Sequence, residues 1–450
     1  MAHLLDLAQR VVDRAEGDEG VEAIALHSVE YSVNVFEGEV EQLSSSETRG
    51  VGVRVVVDGR LGFASTSDVS ADGLAYALAE ARSNAEHSTP DPGNVLPEPA
   101  AAEPLDGLWD DSFEGVSAAE KVALALELER ATRAADRRVT GVDSASYGDS
   151  RTAAAIASTR GIAAEYRRTD AWSYVVALAR TEDETQTGMG LTMGRGVGEL
   201  DIAAAAAEGA VRAARMLGAR KPATARVPVV FDPFVTASFL GTVVAGLTAE
   251  AVQKGRSLFA DLVGEVVLGA GLSLVDDGRL IEGPGAAPVD DEGVPTRRTA
   301  SVEDGVLRGF LHNTETAARA GDGTRSTGNA ARAGYRSSPG VAPSNLFLDG
   351  VTVPALEILR RAEGGLYVQD VSGIHSGVNP VSGEFSVGAT GLWISGGGLA
   401  EPVREVTVSS TIVEMLRAVT ALGDDRRFLP FGGALAGATL LLAEMTVAGS

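Results

Sequence analysis

"GVGVRVVVDGRLGFAST", residues 50–66, is the stretch on which the fold turns. β-Branched and alternating residues run up to Asp58-Gly59 and resume beyond it, and an Asp-Gly pair supplies the positive φ angles that a two-residue hairpin requires. The segment therefore reads as two antiparallel strands. Upstream, VEAIAL (21–26) and YSVNVF (31–36) have the same strand character. MAHLLDLAQRVVDRAEGDEG (1–20) and SADGLAYALAEARSNAEHS (70–88) read as flanking helices. Together these segments predict an N-terminal α/β domain over 1–88.

The next stretch, TPDPGNVLPEPAAAEPL (89–105), carries five prolines and little that could pack, so 89–116 reads as a Pro-rich linker or surface crossing. A middle α/β domain follows over 117–222. It opens on SAAEKVALALELERATRAAD, where Ser117 and Glu120 form a capping-box pair. Strand-like runs continue to about residue 195, and a helix is expected over 199–217, ending at the break ARKPATARVP (219–228). From 223 to 450 the chain is rich in glycine and turns, with Asp-Gly corners at 277–278, 304–305 and 349–350 between short strands. That pattern predicts a β-rich C-terminal domain with a few helices, a sandwich or a partial barrel, and an α+β class for the whole.

The 450 residues include 38 basic and 62 acidic side chains, a net charge of -24. Phosphate backbones and anionic membrane surfaces are repelled by such a surface, so neither nucleic acid nor membrane is an expected partner. Cysteine is absent, which removes disulfides, thiolate nucleophiles and Cys-containing metal sites. The N-terminus has no basic n-region followed by an apolar h-region, and the expected location is cytoplasmic. The longest charge-free apolar run, 17 residues between Asp232 and Glu250, contains Pro233, Gly241 and Gly246 and reads as a core helix rather than a membrane span. Within FLGTVVAGLTAEAVQKGRSLF (239–259), Leu240, Val243, Val244, Leu247 and Ala251 fall on one helical face.

Chemistry read from the residues is sparse. The histidines at 3, 27, 87, 312 and 375 are never closer than 24 residues, so there is no helical His pair for a metal. Asp290, Asp291, Glu292 and Gly293 lack the alternating ladder of a calcium loop and read as a solvated turn before the strand TRRTASV (296–302). In SGIHSG (372–377) a histidine adjoins a serine, but the spacing is not the G-x-S-x-G elbow. His375 reads as a loop residue with a backbone partner. GMGLTMG (188–194) lacks the third glycine of a dinucleotide fingerprint.

Three stretches in this order carry a resemblance: FEGEVEQLSSSETRGVGVRVVVDGRLGFASTSD (36–68), DDEGVPTRRTASVEDGVLRGFLHNTETAARAGDGTRSTGNAARAGY (290–335), and the segment from SGIHSGVNPVSGEFS (372–386) to the terminal AEMTVAG (443–449). The chain resembles the TldD/PmbA family, whose members are assigned as gyrase modulators and peptidases. The resemblance implies a heterodimer in which a TldD-type subunit holds zinc through an HExxxH helix and a later Cys, while a TldE (PmbA)-type subunit lacks them. The pair acts on small or unfolded peptides.

By the same resemblance, Lys254-Gly255-Arg256-Ser257 matches the tail of that helix, and the two His positions fall at Leu240 and Ala245 and the Glu position at Gly241. The resemblance thus implies a TldE-like subunit: no catalytic residue and no cofactor in this chain, with zinc in the presumed partner. Such a subunit holds peptide by main-chain hydrogen bonds. STGNAARAGYR (326–336) and SGVNPVSGEFS (376–386) are the candidate cleft loops, with Asn329, Arg332, Arg336, Ser376 and Gly377 as candidate cleft residues; tight turns are the equal alternative for their glycines. Arg332 and Arg336 are candidates to anchor a substrate carboxylate or to form surface salt bridges. The competing readings are a metal-independent hydrolase using Ser376 and His375, and a homodimeric peptide-binding or assembly protein.

Overall fold

The computed structural model describes residues 4–429 and 434–449; His3 lies outside them. Helix α1 (Leu4–Val12) leads into strands β1 (Gly20–Phe36), β2 (Glu39–Val57) and β3 (Arg60–Thr66), then helix α2 (Ala71–His87). After the proline-rich segment come α3 (Ala118–Ala135), β4 (Val139–Ser158), β5 (Ala163–Arg180), β6 (Thr185–Gly194) and α4 (Ile202–Ala214). Asp58 and Gly59 adopt φ of 50° and 72°, and Val57 pairs with Arg60, the two-residue hairpin that Asp-Gly announces. Ser117 and Glu120 form the expected capping box.

The six strands make one antiparallel sheet in the order β3-β2-β1-β4-β5-β6. β1 pairs with β4 from Glu22↔Ser158 to Val35↔Ala145, so the strands before and after the proline-rich segment share a sheet. That segment is also less inert than its composition suggests. Leu96 and Phe113 are buried, and Asp91 pairs with Arg319 at 3.0 Å.

Alternation along the strands sorts the sheet into two faces. Val21, Ala23, Val51, Val53 and Val55 pack beneath α1 and α2, and Val33, Val35, Val142 and Val175 beneath α3 and α4. The opposite face, which includes Glu22, Ile24, Arg54 and Ile156, looks toward the C-terminal domain, where Ile24 and Ile156 meet Val289. The architecture is α+β in three layers: helices, the large sheet, and the C-terminal domain.

The C-terminal domain begins with β7 (Ala225–Phe231), α5 (Pro233–Val244) and α6 (Ala249–Gln253). β7 pairs in parallel with Leu366–Ser372 and antiparallel with Leu440–Ala448. The strands Glu384–Ser395 and Gly398–Thr411 complete the circuit back to Leu440–Ala448. Five strands therefore close on themselves into a small barrel, where the sequence pattern left a sandwich or a partial barrel open, with Phe231, Phe239 and Phe385 packed edge to face. A second sheet, built on Leu272–Asp277, Arg298–Glu303 and Leu346–Gly350, faces the large sheet.

Candidate functional site

Residues 239–259 do not form one helix. α5 starts earlier, with Asp232 as its N-cap and Pro233 in its first turn, and ends at Val244. Ala249 N–H then donates to Leu311 O (2.8 Å) and Leu311 N–H to Leu247 O (2.9 Å), an extended bridge that replaces helical pairing. Thr248 caps the second helix by accepting from Ala251 N–H. The apolar face expected for a single helix is thus split: Leu240, Val243 and Leu247 are fully buried, while Val244 and Ala251 are only partly so.

The positions that the resemblance assigns to metal ligands do not fit a zinc ion. Leu240 lies in the main apolar core, a side chain on Gly241 would meet Leu435, and Ala245 caps α5. None offers a nitrogen, sulfur or carboxylate donor. Among the described residues no group of three or more His, Cys, Asp or Glu side chains is placed to hold a metal.

The segment 290–293 is not a solvated turn. Asp290 is 7% and Glu292 0% exposed, because both are built into the junction between lobes. Asp290 accepts N–H groups from Glu292, Val294 and Ala330. Burial, with Glu292 beside it, pushes its carboxyl well above the usual range. Arg54 of β2 donates to Glu22 of β1 (3.0 Å) and to Glu292 (2.8 Å). Arg332 donates to Glu22 and to the carbonyls of Asp291 (3.1 Å) and Ser337 (2.8 Å). Two Arg and two Glu thus form a buried, neutral cluster that ties the loop 326–336 to the first hairpin.

This corrects both readings of Arg332. Its side chain is 1% exposed and its donors are engaged, so it is neither a carboxylate anchor nor a surface ion pair. Asn329 is also buried: its Nδ2 donates to Asp276 (2.6 Å) and to Ala342 O (3.1 Å). Burial is the main reason Asp276 is pushed up to about 6, against the opposing bonds from Asn329 and Asn345. Arg336 is exposed and donates to the Tyr335 hydroxyl (2.9 Å). Tyr335 itself lies against β2, where a side chain at Gly52 would come within 2.2 Å of its carbonyl oxygen. The glycines of GVGVR are what let this loop lie on the sheet.

The loop 376–386 is a separate feature. Ser376, Gly377 and Glu384 line an open depression that shares no residue with the cavity lined by Ala330–Arg332. Ser376 Oγ donates to Gly373 O (3.2 Å) rather than engaging His375, which stands exposed. The structure therefore brings Asn329 and Arg332 together and sets Ser376 and Gly377 apart from them.

Sequence reasoning passed over a second polar junction. Asp232 accepts from Arg212 of α4 and from the Tyr367 hydroxyl, and Arg212 also donates to Gln369 O (2.8 Å). Burial and Asp232 push the Tyr367 phenol up. The signal available was an arginine within the apolar run of α4.

What the fold and its junctions define is a two-lobed α+β protein whose lobes meet through buried charge, and comparison places this architecture among metallopeptidase domains. Three family models cover nearly the whole chain: PmbA/TldA metallopeptidase domain 1 over residues 21–85, the central domain over 111–217 and the C-terminal domain over 224–449. The chain belongs to the PmbA/TldD metallopeptidase family. It is 27% identical over 438 residues to the metalloprotease PmbA of Escherichia coli O157:H7, covering 96% of this chain and 92% of that one. It is 28% identical over 408 residues to a metalloprotease of Methanothermobacter thermautotrophicus, covering 88% and 86%. Among solved structures it superposes on a Thermotoga maritima protein described as a candidate modulator of a DNA gyrase, with a TM-score of 0.90, 26% identity and coverage of 98% and 99%. TldE from Thermococcus kodakarensis shares the fold, with a TM-score of 0.89, 20% identity and 99% of each chain. No helix among the described residues is long and apolar enough to cross a membrane.

Proposed function

We propose that this chain is the non-catalytic, peptide-cleft-forming subunit of a TldD/TldE-type heterodimeric zinc metallopeptidase acting on small or unfolded peptides in the cytoplasm. The observation that carries this reading is that the segment matching the family's ligand helix offers Leu240, Gly241 and Ala245, none of which has a metal-donor side chain, in a chain that otherwise matches the family over 21–85, 111–217 and 224–449. A metallopeptidase needs a Lewis acid to polarise the scissile carbonyl and to lower the pKa of water, and that capacity belongs to a zinc-bearing relative. This chain contributes walls.

An extended peptide is held by main-chain groups irrespective of its sequence. The loops 326–336 and 376–386 are the proposed walls, with backbone rather than the buried Asn329 and Arg332 side chains doing the holding. β3 pairs with β2 only from Val51 to Val57, so the outer edge of Glu39–Thr48 adds main-chain donors and acceptors of the kind an extended chain pairs with. In the absence of the partner, self-association into a homodimer is the accompanying expectation.

The test mixes the purified chain with and without a zinc-bearing family member from the same genome and follows cleavage of an unstructured peptide. Turnover only in the mixture, abolished by a chelator, is the expected result. Chelator-insensitive turnover by this chain alone would overturn the reading.

A further inference from the structure

β5 presents Tyr166, Arg168, Asp170 and Trp172 at every second position, so these four share the face turned away from the helices, while the intervening Thr169 and Ala171 are buried. All four line a cavity of about 500 Å³ between the large sheet and the C-terminal domain, together with Met193 and Asp291.

Arg168 is the unusual member. Its Nε is shut off from solvent and has no hydrogen-bond partner. The nearest ion-pair contact, to Asp170 Oδ2, is 3.6 Å, too long for a hydrogen bond. Asp170 is committed elsewhere: its Oδ1 lies 2.6 Å from Arg195, whose guanidinium also donates to the Ile281 and Thr169 carbonyls. Only the Nε is sealed: the Arg168 side chain is 28% exposed where it lines the cavity, and the fork geometry of a guanidinium suits a carboxylate. Asp291, on the C-terminal-domain side of the cavity, accepts the Arg332 N–H at Oδ2 (2.7 Å), and an ionised carboxylate has acceptor capacity beyond one bond.

We propose that this cavity binds a small zwitterion, a free α-amino acid or a di- or tripeptide, with Arg168 taking the carboxylate, Asp291 the ammonium, and Trp172 and Met193 flanking the apolar side chain. The arrangement uses this chain alone and does not rest on the partnership proposed above. A chain that never meets a zinc-bearing subunit still binds the zwitterion, and a competent heterodimer with an empty cavity separates the two ideas in the other direction.

Calorimetric titration of the full-length chain tests it with four probes: leucine, Leu-Leu, leucinamide, which lacks the carboxylate, and N-acetyl-leucine, which lacks the ammonium. Leucine and Leu-Leu bind, and each of the other two binds at least about tenfold more weakly. R168Q weakens Leu-Leu about tenfold or more, and D291N weakens Leu-Leu while leaving N-acetyl-leucine unchanged. Should R168Q fail to fold, R168K decides, since it keeps the charge and loses the bidentate fork. No binding of leucine or Leu-Leu at about 10 mM, or equal affinity in wild type and an Arg168 variant, overturns the proposal.

Discussion

Arg54→Met tests whether the buried charge cluster holds the lobes together. In the intact protein, Arg54 and Arg332 face Glu22 and Glu292, so the charges balance; the two carboxylate side chains are 1% and 0% exposed. Met keeps most of the volume and removes three hydrogen bonds, two to Glu22 and one to Glu292. Arg332 still pairs with Glu22, but among the described residues the hydrogen bond left to the Glu292 carboxylate is that from the Thr314 N–H (2.9 Å). A buried charge stripped of its partner costs about 3–5 kcal/mol, on the order of 100- to 5,000-fold in the equilibrium for opening the junction. Hydrogen exchange over residues 326–336 and urea unfolding read that change.

One further outcome distinguishes charge from packing. R54M/E292Q is more stable than R54M, because the orphaned charge has gone. A penalty below about 1 kcal/mol, or a double variant no better than the single one, refutes the reasoning.

Asp276 gives a pH prediction in the native protein. Its folded pKa, about 6, exceeds the unfolded value of about 3.9, so its contribution is fully present below about pH 4 and is lost by about 2–3 kcal/mol as pH rises through 6. The stability of D276N relative to wild type should therefore climb between pH 4 and 7 in parallel denaturation series; a flat difference counts against it. G52V forces a side chain into the Tyr335 carbonyl and should cost about 1–3 kcal/mol and loosen the loop 326–336, as judged by thermal unfolding and proteolysis. H375A should leave peptide cleavage by the reconstituted pair unchanged within about twofold, since a general base needs the nucleophile's hydroxyl within hydrogen-bond reach and Ser376 Oγ donates to Gly373 O instead; lost activity would revive the Ser376–His375 reading.

Local signals were legible where the backbone itself imposed them. Asp58-Gly59 identified its hairpin because few residue pairs tolerate positive φ twice in succession. The equivalent turn at Glu37-Gly38, with φ of 52° and 79°, was hidden because Glu is not a turn residue by composition. Long-range partners were invisible for a different reason. Glu292 meets Arg54 across 238 positions, and nothing near 290–293 tells a buried acidic turn from a solvated one. A clue existed in the strands: Glu22 and Arg54 each interrupt an apolar run and stand opposite each other in the hairpin register. The helix over 239–259 failed at Leu311, since periodicity counts faces and cannot see a strand bridge arriving from elsewhere. Among the candidate residues, the burial of Asn329 and Arg332 was illegible because their partners Asp276 and Glu22 lie 53 and 310 positions away.

The pairing of β1 with β4 also governs the order of events at the ribosome. β1 ends at Phe36 and its neighbour begins at Val139, so at roughly 5–20 residues per second the nascent chain waits about 5–20 s before that partner emerges. Throughout the wait, a long hydrophobic ribbon has one side unzipped, open to chaperones or to the same ribbon on a neighbouring polysome. A fragment ending near residue 88 would remain in that condition permanently, which makes premature termination more hazardous here than in a protein built from self-sufficient beads.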